Sequence, residues 1–95
     1  MTDHGSAEGS TWSVSLLNDD HTPMDFVVDV IVMVFDIDLE SARHLMLRVH
    51  NEGAAECGIY PYEVAKAKAT QVADFAREHQ HPLQVVVERK PADAE

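Results

Sequence analysis

Apolar and polar residues alternate near the start of the chain and then recur at helical spacing. Residues 12–16 alternate between the two classes, which is typical of a half-buried strand, and the polar run 18–21 favours a turn. A helix is predicted next, because Thr22 is a favourable N-cap and Pro23 suits the first helical position. Asp25 would then complete a near capping box.

Three segments place apolar residues three or four positions apart, which predicts helices. Asp38 is the expected N-cap of the second helix and Gly53 its C-terminal stop. Two short apolar segments, residues 56–60 and 83–88, are predicted to be strands. The predicted helices are residues 23–36, 39–52 and 61–79.

The predicted order of elements is therefore β-α-α-β-α-β. Three strands and three helices in this order indicate an α+β fold, a two-layer sandwich with a three-stranded, mainly antiparallel sheet and the helices on one side. Residues 12–90 would form this single domain. Residues 1–11 and 91–95 lack apolar periodicity, so we expect a flexible N-terminal arm and a disordered tail.

Charge narrows the choice of partners. The 95 residues include 7 Lys and Arg against 17 Asp and Glu, a formal net charge of −10 at pH 7. Such a chain repels phosphate backbones and anionic lipid heads, so neither nucleic acid nor a membrane is expected as a partner. The lone Cys57 cannot form an internal disulfide, and no secretory leader or spanning segment is recognisable. The sequence predicts a soluble cytoplasmic protein.

Asn18, Asp19 and Asp20 form the densest polar cluster, between the first strand and the first helix. One interpretation is an Asx-type turn that leads into the helix. Two adjacent carboxylates exceed what a turn requires, however, and near the positive end of a helix they are stabilised as anions. Together with the Asn carbonyl they offer several acceptors to one cation. The sequence leaves both interpretations open.

On the second predicted helix, Met46, Val49 and His50 share an arc of about 100°. A histidine in such a position is commonly packed or solvated, and an apolar floor of Met and Val is commonly core. The combination favours a binding site, because an acceptor cluster and a histidine lone pair accompany two unbranched methionines, Met24 and Met46.

The sequence indicates catalysis or metal binding less strongly than it indicates a binding site. His79 and His81 lie two residues apart at a helix end, without a cysteine or a patterned third ligand. His50 with Asp19 or Asp20 would make an acid–base pair, yet we find no nucleophile motif, Gly-rich phosphate loop or cofactor motif. We therefore expect no enzyme activity, metal or cofactor, and keep a small His/Asp enzyme only as an alternative.

Three blocks of the sequence resemble the signature blocks of the ClpS adaptors, and the resemblance runs from residue 13 to residue 88. The blocks are residues 17–27 (LNDDHTPMDFV), 43–53 (RHLMLRVHNEG) and 81–83 (HPL). The resemblance implies a receptor for N-degrons, which captures proteins whose first residue is Leu, Phe, Tyr or Trp. Such a receptor hands them to the AAA+ unfoldase ClpA for degradation by ClpP.

The resemblance also implies roles for single residues, among them Met24 as the gate that rejects β-branched first residues. The implied contacts to the α-amino group of the substrate are Asn18, Asp19 or Asp20, and His50. The implied side-chain pocket consists of Thr22, Pro23, Met24, Val27, Met46, Val49 and Leu83. The implied contacts to the N-terminal domain of the unfoldase are Glu63 and Lys68.

Val32 and Met33 make the first predicted helix apolar almost all round, whereas family members commonly carry polar residues there. Two interpretations are open: deeper burial of this helix, or an additional contact surface or self-association. We otherwise expect a monomer. A regulatory partner of the unfoldase with a degenerate pocket is the other alternative, and the intact Asn18, Met24 and His50 argue against it.

Overall fold

The computed structural model describes residues 10–91 and contains the predicted β-α-α-β-α-β order. The fold class predicted from the sequence is confirmed. All three strands are longer than predicted, because cross-strand pairing continues past the alternating segments. The elements are β1 (Ser10–Leu17), α1 (Met24–Phe35), α2 (Leu39–Glu52), β2 (Ala54–Tyr60), α3 (Tyr62–Glu78) and β3 (Gln84–Pro91).

The sheet has the order β2-β1-β3, and both pairings are antiparallel. The central strand β1 ends at Leu17, which pairs with Ala54 on one side and Gln84 on the other. The start of β2, and therefore the end of α2, lies beside the end of β1. This register brings the loop after β1 next to the last turn of α2.

The core lies between the sheet and the helices. Each large apolar side chain that is fully buried there stabilises the fold by about 1.5 to 3 kcal/mol. On α3 the buried side chains include the small Ala65 and Ala76, which allow the helix to approach the sheet closely. The largest fully buried side chains are Leu16, Ile31, Val14, Val30, Val49 and Val72.

The helix ends agree with the sequence for α2 but not for α1. Asp38 caps α2 by accepting a hydrogen bond from the backbone N–H of Ser41 at 3.1 Å, and Gly53 follows the helix with a φ of 92°. For α1 the predicted Thr22 cap is wrong: extended Pro23 holds the N-cap position and α1 begins at Met24. The Asp19 side chain accepts from the backbone N–H of Thr22, so the donor that Asp25 would bond in the predicted capping box is already taken and the preceding turn is fixed.

The two unusual apolar residues of α1 differ in burial. Val32 is half-buried and packs against the core, whereas Met33 is 67% exposed. Burial therefore accounts for Val32 only. No helix within residues 10–91 is long and apolar enough to cross a membrane. The predicted arm and tail fall mostly on residues 1–9 and 92–95, which lie outside the described part of the chain.

Candidate functional site

A cavity of about 360 Å³ opens between the loop after β1, the first turn of α1 and the last turns of α2. Its size lies near the lower end of the range for small-molecule pockets, so it suits one large side chain with its main-chain atoms. Two stretches that are far apart in sequence meet here. The lining residues are Asn18, Asp19, Asp20, His21, Thr22, Pro23, Met24, Val27, Met46, Val49 and His50.

A backbone hydrogen bond holds the two stretches together. The N–H of Asn18 donates to the carbonyl of Gly53 at 2.9 Å, directly after β1 and directly after α2. Gly53 can end the helix in this conformation because its φ of 92° is accessible to glycine without a steric penalty. The loop after β1, residues 18–23, is called the polar loop. The bond anchors its start beside the end of α2 that carries His50.

Asp19 braces the polar loop with one of its carboxylate oxygens. Its Oδ2 accepts hydrogen bonds from the backbone N–H groups of His21 and Thr22, both at 2.9 Å. Burial acts to raise the pKa of this carboxyl. The nearby Thr22 hydroxyl, the two backbone donors and the charge of His21 outweigh it, so the pKa is lowered. The group is therefore a carboxylate at neutral pH.

Two oxygens at the cavity are buried without a partner within residues 10–91. They are Oδ1 of Asp19 and Oγ1 of Thr22. A buried acceptor without a donor costs about 1 to 3 kcal/mol. The groups at this cavity that a ligand with several donors could reach are instead the exposed side chains of Asn18, Asp20 and His50.

The rest of the cavity wall is apolar. Val27 and Val49 are buried, Met46 is half-buried, and Met24 is 43% exposed. Because methionine is unbranched and has several rotatable bonds, Met24 and Met46 allow the wall to adapt to side chains of different shape. An acceptor-rich rim thus adjoins an adaptable apolar surface.

Sequence reasoning placed ten residues at this cavity that the structure brings together, and it differs from the structure at two positions. Leu83, which directly precedes β3, is buried in the hydrophobic core and is not among the lining residues. His21 lines the cavity although it was not among the predicted site residues. Its place inside the block 17–27 was the signal that could have indicated it.

Comparison with known proteins decides the family. The model of the family described as "ATP-dependent Clp protease adaptor protein ClpS" matches residues 7–86. The chain belongs to the ClpS family. It is 56% identical over 79 residues to the Clp protease adapter protein ClpS 2 of Rhodopseudomonas palustris, covering 83% of this chain and 72% of that protein. It is also 56% identical over 81 residues to ClpS 1 of Rhizobium meliloti, covering 85% and 69%.

A solved structure of the same family shares the fold. Agrobacterium tumefaciens ClpS2 bound to L-phenylalaninamide matches with a TM-score of 0.83 and 32% sequence identity. The match covers 86% of this chain and 99% of that one. These ClpS relatives are named as adaptors of a protease and not as enzymes.

The two residues predicted to face the unfoldase lie on α3, apart from the cavity. Glu63 is exposed in the first turn of the helix. Lys68 is half-buried, and its Nζ donates to the carbonyl of Val34 at 2.7 Å while lying 5.8 Å from the ring centroid of Tyr60. Lys68 therefore satisfies one of the free carbonyls at the C-terminal end of α1.

His79, His81 and Cys57, the other residues considered for metal binding or catalysis, take part in packing within the fold. His79 and His81 pack around Phe26, with ring centroids 5.3 and 4.5 Å from that ring. No group of three metal-ligating side chains occurs within residues 10–91. Burial raises the pKa of the Cys57 thiol to about 12, so this cysteine stays protonated and is a poor nucleophile at neutral pH.

Proposed function

We propose that this ClpS-family chain is a receptor for N-degrons. It binds the free α-amino group and the bulky side chain of a Leu, Phe, Tyr or Trp at a substrate's N-terminus and delivers the substrate to a ClpA-type unfoldase. The observation that carries the proposal is the cavity itself, in which an acceptor-rich rim adjoins an apolar wall. A protein N-terminus presents the matching pair of features, an ammonium group with three donors beside a variable side chain.

Asn18, His50 and the carboxylates of Asp19 and Asp20 are the proposed partners of the ammonium group. Asp19 supports this assignment by its charge, because its lowered pKa makes it a carboxylate at neutral pH beside the exposed Asn18, Asp20 and His50. His50 accepts a hydrogen bond only when its imidazole is neutral. Acetylation of the substrate removes the positive charge and two of the donors, so these acceptors would lose their partners.

The proposed side-chain pocket consists of the apolar wall with Thr22 and Pro23 at its edge. Val27 and Val49 form the buried part, while Met24 at the mouth contacts the β-carbon region of the first residue and excludes β-branched side chains. Leu83 supports the pocket from the core. Each charge-assisted hydrogen bond contributes about 1.5 to 3 kcal/mol, and so does burial of a Leu or Phe side chain. Together they reach about micromolar affinity after the cost of association.

The ligand in the A. tumefaciens ClpS2 structure supports this assignment. L-phenylalaninamide carries a free α-amino group and a benzyl side chain, the two features of an N-terminal Phe. A chain of the same fold therefore takes a ligand of the proposed class.

For delivery, we propose that the α3 surface around the exposed Glu63 contacts the N-terminal domain of the unfoldase. Lys68 would contribute mainly by holding this region in place, since its ammonium is engaged by Val34. The adaptor acts by binding and has no catalytic step. A monomeric state, a cytoplasmic location and the absence of nucleic-acid and membrane partners stay predictions from the sequence.

Fluorescence anisotropy tests the receptor function. Peptides beginning with Phe, Tyr, Trp, Leu, Ile or Ala are titrated, each with a free and with an acetylated N-terminus. We expect about micromolar binding of the four bulky residues and a loss of at least about a hundredfold on acetylation. Equal binding of acetylated peptides would contradict the proposal. Failure of every peptide to bind, with retained binding to the unfoldase, would favour a regulatory partner with a degenerate pocket.

A further inference from the structure

A second depression lies between α1 and α2 and shares two residues with the cavity. This α1–α2 groove has a volume of about 530 Å³, and Met24 and Met46 line both it and the cavity. Val28, Leu39 and Leu47 complete its apolar surface. The groove is therefore continuous with the proposed N-degron pocket across two flexible side chains.

Three apolar side chains of the groove are open to solvent, whereas Val28 is buried and Met46 is half-buried. Leu39 is 50% exposed, Leu47 44% and Met24 43%. Adjacent exposed side chains of this size form an apolar patch, and such patches commonly mark binding surfaces. Folding of residues 10–91 leaves this patch uncovered, so a bound molecule would remove its apolar area from water.

We propose that the α1–α2 groove binds an apolar side chain of the substrate, located a few residues after the N-terminal residue. This inference rests on the proposed function. A first residue seated in the cavity leaves the following residues at its mouth, where Met24 lies between the two sites. An extended chain advances about 3.3 to 3.6 Å per residue, so two to four residues are enough to pass from one site to its neighbour.

The charges of the groove support this occupant over two others. Asp25 and Asp29 lie on its α1 side, and Arg43 on its α2 side offers donors to the carbonyl groups of an extended peptide. The chain's own residues 1–9 fit poorly, because they contain Asp3 and Glu8 and no large apolar residue after Met1. A second copy is also disfavoured, because each copy carries a net charge of −10.

A leucine scan tests the groove. Peptides have Phe at position 1 with a free amine and Ser at positions 2–5, and a single Leu is moved through those four positions. Burying most of a Leu side chain in an open groove predicts a gain in affinity of about three- to tenfold at one position relative to the all-Ser peptide. The gain at that position is expected to disappear in Leu47→Gln and to shrink in Leu39→Gln. Met33→Gln is the matched control, because Met33 is an exposed methionine outside the groove, and it should retain the gain.

The outcomes separate this inference from the proposed function. If the all-Ser peptide binds through its free Phe but Leu gives no gain at any position, the groove assignment is wrong and the receptor function stands. A gain that persists in both Gln variants at Leu39 and Leu47 also overturns it. If Leu47→Gln changes the oligomeric state in sedimentation experiments without affecting the peptides, the groove is an interface between copies. If no free Phe peptide binds, both proposals fail together.

Discussion

Asp19 and Asp38 each lie shortly before a helix, and they use their carboxylate oxygens differently. Asp38 is exposed and caps α2 through the backbone N–H of Ser41. Asp19 uses Oδ2 for the backbone of His21 and Thr22, while Oδ1 is buried at the cavity without a partner within residues 10–91. A helix cap needs one acceptor oxygen, so an additional buried acceptor marks the loop before α1 as more than a local turn.

Substitution of Asp19 and of Asp38 tests this difference. The largest effect on peptide affinity is expected for Asp19. Asp19→Ala removes the loop brace and a proposed ammonium acceptor, so we expect binding of a free Phe peptide to weaken by about thirtyfold or more. Asp38→Ala is the matched control and should leave that affinity unchanged. Anisotropy measures both, and circular dichroism verifies folding. Equal losses in the two variants would show that Asp19 acts only through stability.

The apolar side of the cavity is tested by the choice between Leu and Ile as first residue. Met24→Ala enlarges the mouth of the proposed pocket, and we expect the preference for Leu over Ile to fall by about tenfold. Competition binding with the two peptides gives the ratio directly. An unchanged ratio would mean that Met24 is not the gate.

The proposed role of His50 as an acceptor is tested by replacing its side chain. His50→Leu removes both ring nitrogens, so the affinity for a free Phe peptide should fall by about three- to tenfold. In His50→Gln the amide oxygen can still accept, so the loss should be smaller. Because His21 also lines the cavity, His21→Leu is measured in parallel. If only His21→Leu weakens binding, the acceptor role of His50 is wrong.

Lys68 differs from the exposed polar side chains of the cavity, because its ammonium group already bonds a carbonyl of the fold. Lys68→Met removes the 2.7 Å bond to the Val34 carbonyl, and we expect a loss of about 1 kcal/mol in the free energy of unfolding. Lys66→Met is the control on the same helix, since Lys66 is exposed with its Nζ 5.2 Å from the Tyr62 ring centroid. It should change stability by less than about 0.5 kcal/mol in urea. Equal effects would contradict a capping role for Lys68.

The smallest expected effect is on how much Tm decreases between neutral and acidic pH. For Asp38, hydrogen bonds from Ser41 lower the pKa from 3.8, and the Asp19 pKa is lowered despite burial. The folded state therefore releases these protons more readily than the unfolded chain. The resulting stabilisation is present above the ordinary value of 3.8 and is lost as the pH falls through the lowered pKa. Asp38→Asn and Asp19→Asn should show a smaller decrease in Tm from neutral to strongly acidic pH than the parent chain. An unchanged decrease would contradict this.

Much of the fold was predictable because the apolar spacing is regular. The three helices and the central strand follow from it, and Asp38 and Gly53 were recognisable as the ends of α2. The strand limits were predicted too short, since Thr11 joins β1 by pairing with Lys90 at the far end of the chain. The Thr22 cap was wrong, and periodicity does not reveal that the Asp19 side chain bonds the Thr22 backbone N–H in place of the predicted capping box.

By itself the sequence determined the fold class and the acceptor and apolar residue types of the site, because both depend on the order of side chains along the chain. Only the tertiary structure decided which of these residues meet. The antiparallel register and the bond from Asn18 to Gly53 bring residues 18–24 against the end of α2. Leu83 lies in the core and is not among the lining residues, whereas the turn after β1 brings His21 to the cavity. Such convergence depends on contacts between residues distant in sequence, which local patterns do not encode.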